Sequence, residues 1–426
     1  MLRVIRNILG KTNNISRSAY VWNSINAIMS ACQCPVILMV ITRTNGVYDA
    51  GVFSIAFAVA SLMLYVGQYG IRRFQASDIE EKYSFNEYHG MRIVTCIIMA
   101  LACVAYCFYG LIFSSYSYEK FMIVLLVCML KCIQGYADVI HGRMQQKGRL
   151  DVATKASATR YALEVITYIV MLILTHDLLA ATVACIMVSL AVLMLTSVNA
   201  ARDYCSFRPS FENSKMKQLM IEGFPLFVSL FLNMYISNAP KYAIDACLTE
   251  EIQAIYNLIF MPAFMVGLLA NFIFNPILTS YAKVWIEKKY DKFNKLIIKQ
   301  CIIVAGLTAA GLAVAFTIGI PLLSIIFGVD LSAYKYELCV VMAGGGMLAY
   351  STFFSTIITI MRMQRSLLVC YAVVALAAKL LSTVLVTSYG IMGAAVMYAV
   401  LMTVLTLMLL IIMICKIRKE KGAQSA

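Results

Sequence analysis

Long apolar runs separated by short polar stretches organise this chain from end to end. A helix needs about 20 apolar residues to cross about 30 Å of hydrocarbon, and many of the runs are that long. We read twelve such spans, at 20–42, 49–70, 91–113, 119–140, 156–175, 178–199, 219–240, 250–276, 298–319, 335–361, 366–387 and 390–415. Apolar sequence continues beyond the ninth, through Gly319 and Pro321 to Phe327, which predicts a helix break followed by a short outer segment. The roughly ten-residue alternating segments of a membrane β-barrel are not found. The pattern predicts an all-α polytopic membrane protein.

Composition agrees. The 426 residues are 62% hydrophobic and only 13% charged, against about half and a quarter in soluble domains. The net charge of +14 could suggest nucleic acid, but its distribution argues against that partner. Basic residues punctuate the apolar runs, as in loops that face a cytoplasm and an anionic leaflet. With the N-terminus inside, the inner segments and their borders hold 29 Lys and Arg and the outer ones hold 4. Both termini are therefore expected in the cytoplasm, with anionic membrane lipids as neighbours. Residues 1–19, with Arg3, Arg6, Lys11 and Arg17 among Leu2, Ile5, Ile8 and Leu9, read as a basic amphipathic segment on the inner surface.

The second half of the chain repeats the first. A shift of 213 residues lays Arg149 on Arg362, and a shift of 203 lays Asn26 on Ser229 and Ser30 on Asn233. Six spans per half give both halves the same orientation. They are expected to be related by a pseudo-two-fold axis along the membrane normal, with a cavity between them. The organisation predicted is an N-terminal segment 1–19, a six-helix lobe 20–200, a polar linker 201–218, a second six-helix lobe 219–416 and a cytoplasmic tail 417–426.

Polar residues inside spans carry the candidate chemistry. In the first span Asn23, Asn26, Ser30 and Gln33 share one helix face; Ser229, Asn233 and Ser237 make a similar row in the seventh. Such rows either bond helices together or offer neutral hydrogen bonds to a hydroxyl-rich cargo. The fourth span is sharper. Lys131, Gln134, Asp138, His141, Gln145 and Arg149 step by three and four along one face, from mid-membrane into the cytoplasm. A charge facing lipid at mid-span costs about 2.5–3.5 kcal/mol, so this face is expected to meet water or protein. Lys131 either pairs with a buried acid such as Glu164 or lines the cavity and meets an anionic group. Glu164 also lies four residues after Arg160, a spacing that favours pairing within the helix. The equivalent face of the tenth span keeps polar residues but has no charge before Arg362. Arg149 and Arg362 would stand at the cytoplasmic mouth. Lys379 is a second intramembrane cation, facing either the cavity or its own lobe.

Other chemistry is missing from the pattern. There is no phosphate-binding G-x-x-x-x-G-K-[ST] loop, no H-E-x-x-H and no G-x-S-x-G. The 14 Cys are scattered without metal-ligand spacing. We expect no enzyme activity, no cofactor and no metal. A transporter without its own ATPase must draw on an H⁺ or Na⁺ gradient or on the membrane potential.

Several segments resemble the bacterial polysaccharide flippases, of O-antigen and capsule type, within the multidrug/oligosaccharidyl-lipid/polysaccharide exporter superfamily. They are "GVFSIAFAVASLMLYVGQYGIRRFQASDIEEKYSFNEYHGMRI", "GRMQQKGRL", "APKYAID", "FMPAF…NFIFNPILT" and "GIPLLSIIFGVDL". The resemblance spans nearly the whole chain. It implies two six-helix bundles forming a V around a central cationic cavity, in the inner (plasma) membrane. It further implies alternating-access flipping of an undecaprenyl-diphosphate-linked oligosaccharide, for surface polysaccharide or lipopolysaccharide assembly. Lys131 is the candidate for the diphosphate, with Gln134, Asp138, Asn26, Ser30, Gln33, Asn233 and Lys379 as further cavity residues. A cavity within one chain makes a monomer the simplest functional unit. The alternative is a cation-coupled multidrug exporter of the same superfamily. Its membrane acid would be Asp138 or Glu164, because the first span contains none. A membrane-embedded glycosyl transferase would need a long outer loop with catalytic acids, and the outer loops here are short.

Overall fold

The computed structural model describes residues 2–78, 81–113, 116–274 and 278–425. The last two residues of the eighth predicted span, 275 and 276, and the Asn-Pro-Ile of the "NFIFNPILT" segment lie outside them. Among the described residues, ten helices are long and apolar enough to cross a membrane.

The chain forms two compact units, 1–231 and 232–426. The first begins with α1 (Leu2–Gly10), a short helix with arginines among its apolar residues. Asn14 then caps α2 (Ile15–Thr44) by accepting from the Arg17 amide. There follow α3 (Val47–Gln68), α4 (Ile71–Ser77), α5 (Phe85–Phe113), α6 (Tyr118–Gln146), α7 (Leu150–Thr175) and α8 (Leu178–Val192). A π turn, Leu193–Val198, carries the helical path into α9 (Asn199–Ala201). α6 lies at the centre, against α3, α4, α5, α7 and α8, and α2 runs along α7. Burial follows that placement. α3 is apolar all round and buried on every side from Ala50 to Leu62 except Phe57. α5 instead leaves Ile97, Leu101, Phe108 and Ile112 outward, in the position of a lipid-facing strip.

α10 (Asn213–Cys247) starts in the first unit and ends in the second. The second unit continues with α11 (Glu250–Phe274), α12 (Leu278–Ile286), α13 (Tyr290–Val314), α14 (Ile320–Phe327), α15 (Lys335–Ile360) and α16 (Gln364–Ser425). α15 is central here, against α16, α11 and α13. Lipid tails are as apolar as leucine, so helices in a membrane are drawn together by close packing rather than by escape from water. The run Gly344-Gly345-Gly346 allows this. A Cβ on Gly345 would lie 2.7 Å from the Ala263 carbonyl, and one on Gly346 only 2.4 Å from Thr308. α16 is two helices joined at Gly390, whose φ of 56° breaks the helical path. The Leu385 carbonyl and Gly393 are close neighbours across that break, so the chain doubles back there.

The ninth predicted span corrects an expectation. The path does not break before Phe327. A π turn at Ala315–Gly319 joins α13 to α14, and Pro321 falls in the first turn of α14, directly after the change of hydrogen-bond register.

Candidate functional site

The polar face of α6 is built into the first unit. Lys131 is 6% exposed. Its ammonium donates to the Gln134 carbonyl at 3.1 Å and to the Gln33 carbonyl on α2 at 3.4 Å. It also stands 4.4 Å from the centre of the Phe57 ring on α3, a favourable place for a cation. The Gln33 amide points the other way and donates to Glu164 on α7 at 2.6 Å. Glu164 accepts in addition from Arg160 at 2.9 Å and from Ser189 on α8 at 2.7 Å. Five helices therefore meet at one cluster holding two cations and one carboxylate.

In this arrangement Glu164 pairs with Arg160, one helical turn before it, and Gln33 bridges Glu164 to Lys131. Lys131 has two neutral oxygens and a ring as partners, and among the described residues no carboxylate in ion-pair range.

The inner half of α6 meets residues that the spacing did not single out. Asp138 is clamped between Arg92 of α5 at 2.9 Å and Arg72 of α4 at 3.2 Å. Arg92 is fully buried and also donates to the Gly67 carbonyl. Arg72 reaches Gln145 as well. His141 bonds Ser197, inside the π turn, at 3.0 Å. Arg72 and Arg92 had been visible only as positive charge bordering an inner loop; nothing in their own spacing points to Asp138.

At the end of this face Arg149 holds Asp151 at 2.9 Å, the Gly10 carbonyl of α1 at 2.9 Å and the Tyr204 hydroxyl at 3.3 Å. These bonds hold its guanidinium pKa above the ordinary value, with the Asp151 hydrogen bond the main favourable contribution. At the end of α6, Arg143 in its last turn and Lys147 just after it both donate to Glu81. Those bonds, Lys147's first, keep the Glu81 carboxyl below its ordinary value.

The remaining predicted residues are less constrained. Asn26 is half-buried, its carbonyl oxygen enclosed without a partner among the described residues. Ser30 is exposed. In the second unit Asn233 is half-buried, while Lys379 and Arg362 are exposed. Arg362 follows the end of α15 with a left-handed φ of 58°. The structure thus brings Gln33, Lys131, Gln134, Arg160 and Glu164 together and places Asp138 in a separate ion cluster. Among the described residues no group of His, Cys, Asp and Glu could hold a metal.

A family model described as "Polysaccharide biosynthesis protein" matches residues 19–282. The chain belongs to that family. It is 22% identical over 375 residues to the capsular polysaccharide biosynthesis protein CapF of Staphylococcus aureus, covering 86% of this chain and 91% of that protein. Its fold is that of the MOP superfamily. A multidrug resistance MATE transporter in its inward-facing conformation superposes with a TM-score of 0.68 at 13% identity, covering 95% of this chain and 99% of that one. A Pyrococcus furiosus MOP transporter, described as having a binding pocket of reversed polarity, gives 0.54 at 13% identity over 96% and 95%. Family and fold make this polysaccharide biosynthesis protein a multi-pass membrane protein with a MATE-like fold.

Proposed function

We propose that this family member flips an undecaprenyl-diphosphate-linked oligosaccharide from the inner to the outer leaflet of the plasma membrane. It works by alternating access, in surface polysaccharide assembly of capsule or O-antigen type. Twelve spans, in two six-helix lobes around a central cavity, leave both termini in the cytoplasm. The chain acts as a monomer, coupled to H⁺, Na⁺ or the membrane potential.

The observation that carries this reading is the set of partners around Lys131. A lysine meant only to lock helices would be neutralised by an acid. This one is held by two amide oxygens and an aromatic face, and so retains its attraction for an anion such as a diphosphate. Neutral polar groups such as Asn26, Ser30 and Asn233 suit sugar hydroxyls, and Arg149 and Arg362 flank the cytoplasmic entrance. Lys379 would add a second cation to the cavity.

A multidrug exporter would need a membrane acid free to bind a cation. Asp138 is held by two arginines and Glu164 by one, which favours the flippase. Complementation of a strain lacking its polysaccharide flippase tests the proposal. Restored surface polysaccharide is expected, and drug resistance without a polysaccharide phenotype would overturn it.

A further inference from the structure

Beside α1 lies a polar cleft of about 490 Å³, lined in part by Arg6, Asn7, Lys11, Arg149, Asp203 and Tyr204. Its construction is unlike a solvated loop. α1 buries Leu9, with Ile5 packed beside it, in the core of the first unit. Carbonyls at its C-terminal end, of the kind a helix end leaves without partners, are held by side chains. Lys155 donates to Leu9 and Lys11 at 3.0 and 3.1 Å, and Arg149 donates to Gly10 at 2.9 Å. Arg6 pairs with Asp203 at 2.7 Å. The helix is therefore fixed, and so is the cleft wall that it forms.

Three cations and one carboxylate line this cleft, so its field favours an anion. Arg6 and Arg149 spend only part of their donor set on Asp203, Asp151, Gly10 and Tyr204. The Lys11 ammonium and the Asn7 amide make no hydrogen bond to any described residue, and both side chains are exposed. Val4 and Ile8, one turn apart on the neighbouring strip of α1, are 59% and 66% exposed. A soluble anion would gain nothing from that apolar strip; acyl chains would.

We propose that the cleft binds the headgroup phosphate of an anionic glycerophospholipid, with the chains lying along Val4 and Ile8. The assignment rests on the reading of this face as the cytoplasmic one. Arg149 and Lys155 belong to the segment that follows α6, the helix carrying Lys131. Lipid bound here would hold α1 against that segment and make transport sensitive to the composition of the inner leaflet.

The test uses the purified full-length protein in detergent, titrated with dioctanoylphosphatidylglycerol, dioctanoylphosphatidylcholine or inorganic phosphate, and followed by thermal shift. Saturable stabilisation by the glycerol lipid alone is expected. Lys11→Glu should weaken it by at least about fivefold, since each basic residue near an anionic surface contributes on the order of 1 kcal/mol. Lys11 is exposed and supports no other side chain, so the variant should fold; its unliganded melting temperature checks this. Equal effects of the two lipids, or an unchanged affinity in Lys11→Glu, would overturn the site. Inorganic phosphate acting as strongly as the glycerol lipid would overturn the lipid assignment. Binding is read without transport, so its failure is distinct from a failed complementation.

Discussion

Gln33 stands between Lys131 and Glu164, its carbonyl 3.4 Å from the ammonium and its amide 2.6 Å from the carboxylate. One neutral side chain thus keeps two opposite charges from collapsing onto each other. Gln33→Leu removes the bridge and leaves a buried donor and a buried acceptor each short of a partner. A cost of about 1–3 kcal/mol is expected, seen as a lower melting temperature in detergent. Gln33→Glu is the sharper variant. A carboxylate beside Lys131 cancels the charge that the diphosphate would meet, so complementation should be lost while the protein still reaches the membrane. Full activity of Gln33→Glu would remove Lys131 from the anion-binding role.

Arg92 is wholly enclosed and holds Asp138. Breaking a buried pair fully costs about 3–5 kcal/mol; here Arg72 still faces Asp138 at 3.2 Å, so the loss falls towards the lower end of that range. Arg92→Met should therefore sharply reduce the amount of folded protein in the membrane. Adding Asp138→Leu should recover part of the loss, because the carboxylate left with only the half-exposed Arg72 goes with it. Membrane levels of the two variants, compared by fluorescence-detected gel filtration, check this.

Glu81 supplies a pH-dependent contact at the membrane surface. Lys147 and Arg143 lower its folded pKa beneath the ordinary 4.5. The unfolded state then binds the proton first. The contribution is present above about 4.5 and is lost as pH falls through the lower folded value. Glu81→Gln should melt slightly below wild type at pH 7, and the difference should vanish in acid. The carboxylate is partly exposed, so the effect is small. Melting curves across the acid range would show it, and a difference that persists below the folded pKa would contradict the assignment.

Gly345→Val tests the close approach of α15 to α11. Its Cβ has no room beside the Ala263 carbonyl, a backbone atom that no rotamer change can move. Overpacking costs typically about 1–3 kcal/mol. A reduced melting temperature is expected, with Gly345→Ala less severe.

The positions of several spans were legible because they depend on run length. The predicted spans at 20–42, 49–70 and 119–140 lie within α2, within two residues of α3, and within α6. The polar face of α6 was legible too, since helical periodicity is a local property. Its partners were not. Arg92 lies 46 residues from Asp138, and Gln33 lies 131 from Glu164; only packing brings them together. The continuation through Ala315–Gly319 was missed because Gly319 and Pro321 are breakers in isolation, yet Pro321 falls directly after the change of hydrogen-bond register. The bond between Arg149 and the Gly10 carbonyl was hidden for another reason, because a backbone acceptor leaves no mark on the sequence.

The π turn at Leu193–Val198 has a meaning for length variation. A π turn amounts to one extra residue carried in a helix. Deleting one residue there would let the segment close into ordinary α-helix with little change in span. The helix beyond it would also keep its phase, because the widened turn takes up the extra residue locally. Ser197 bonds His141 from within that turn, so what the shortened chain stands to lose is this one contact. The extra residue serves a local meeting of side chains and leaves the course of the helix alone.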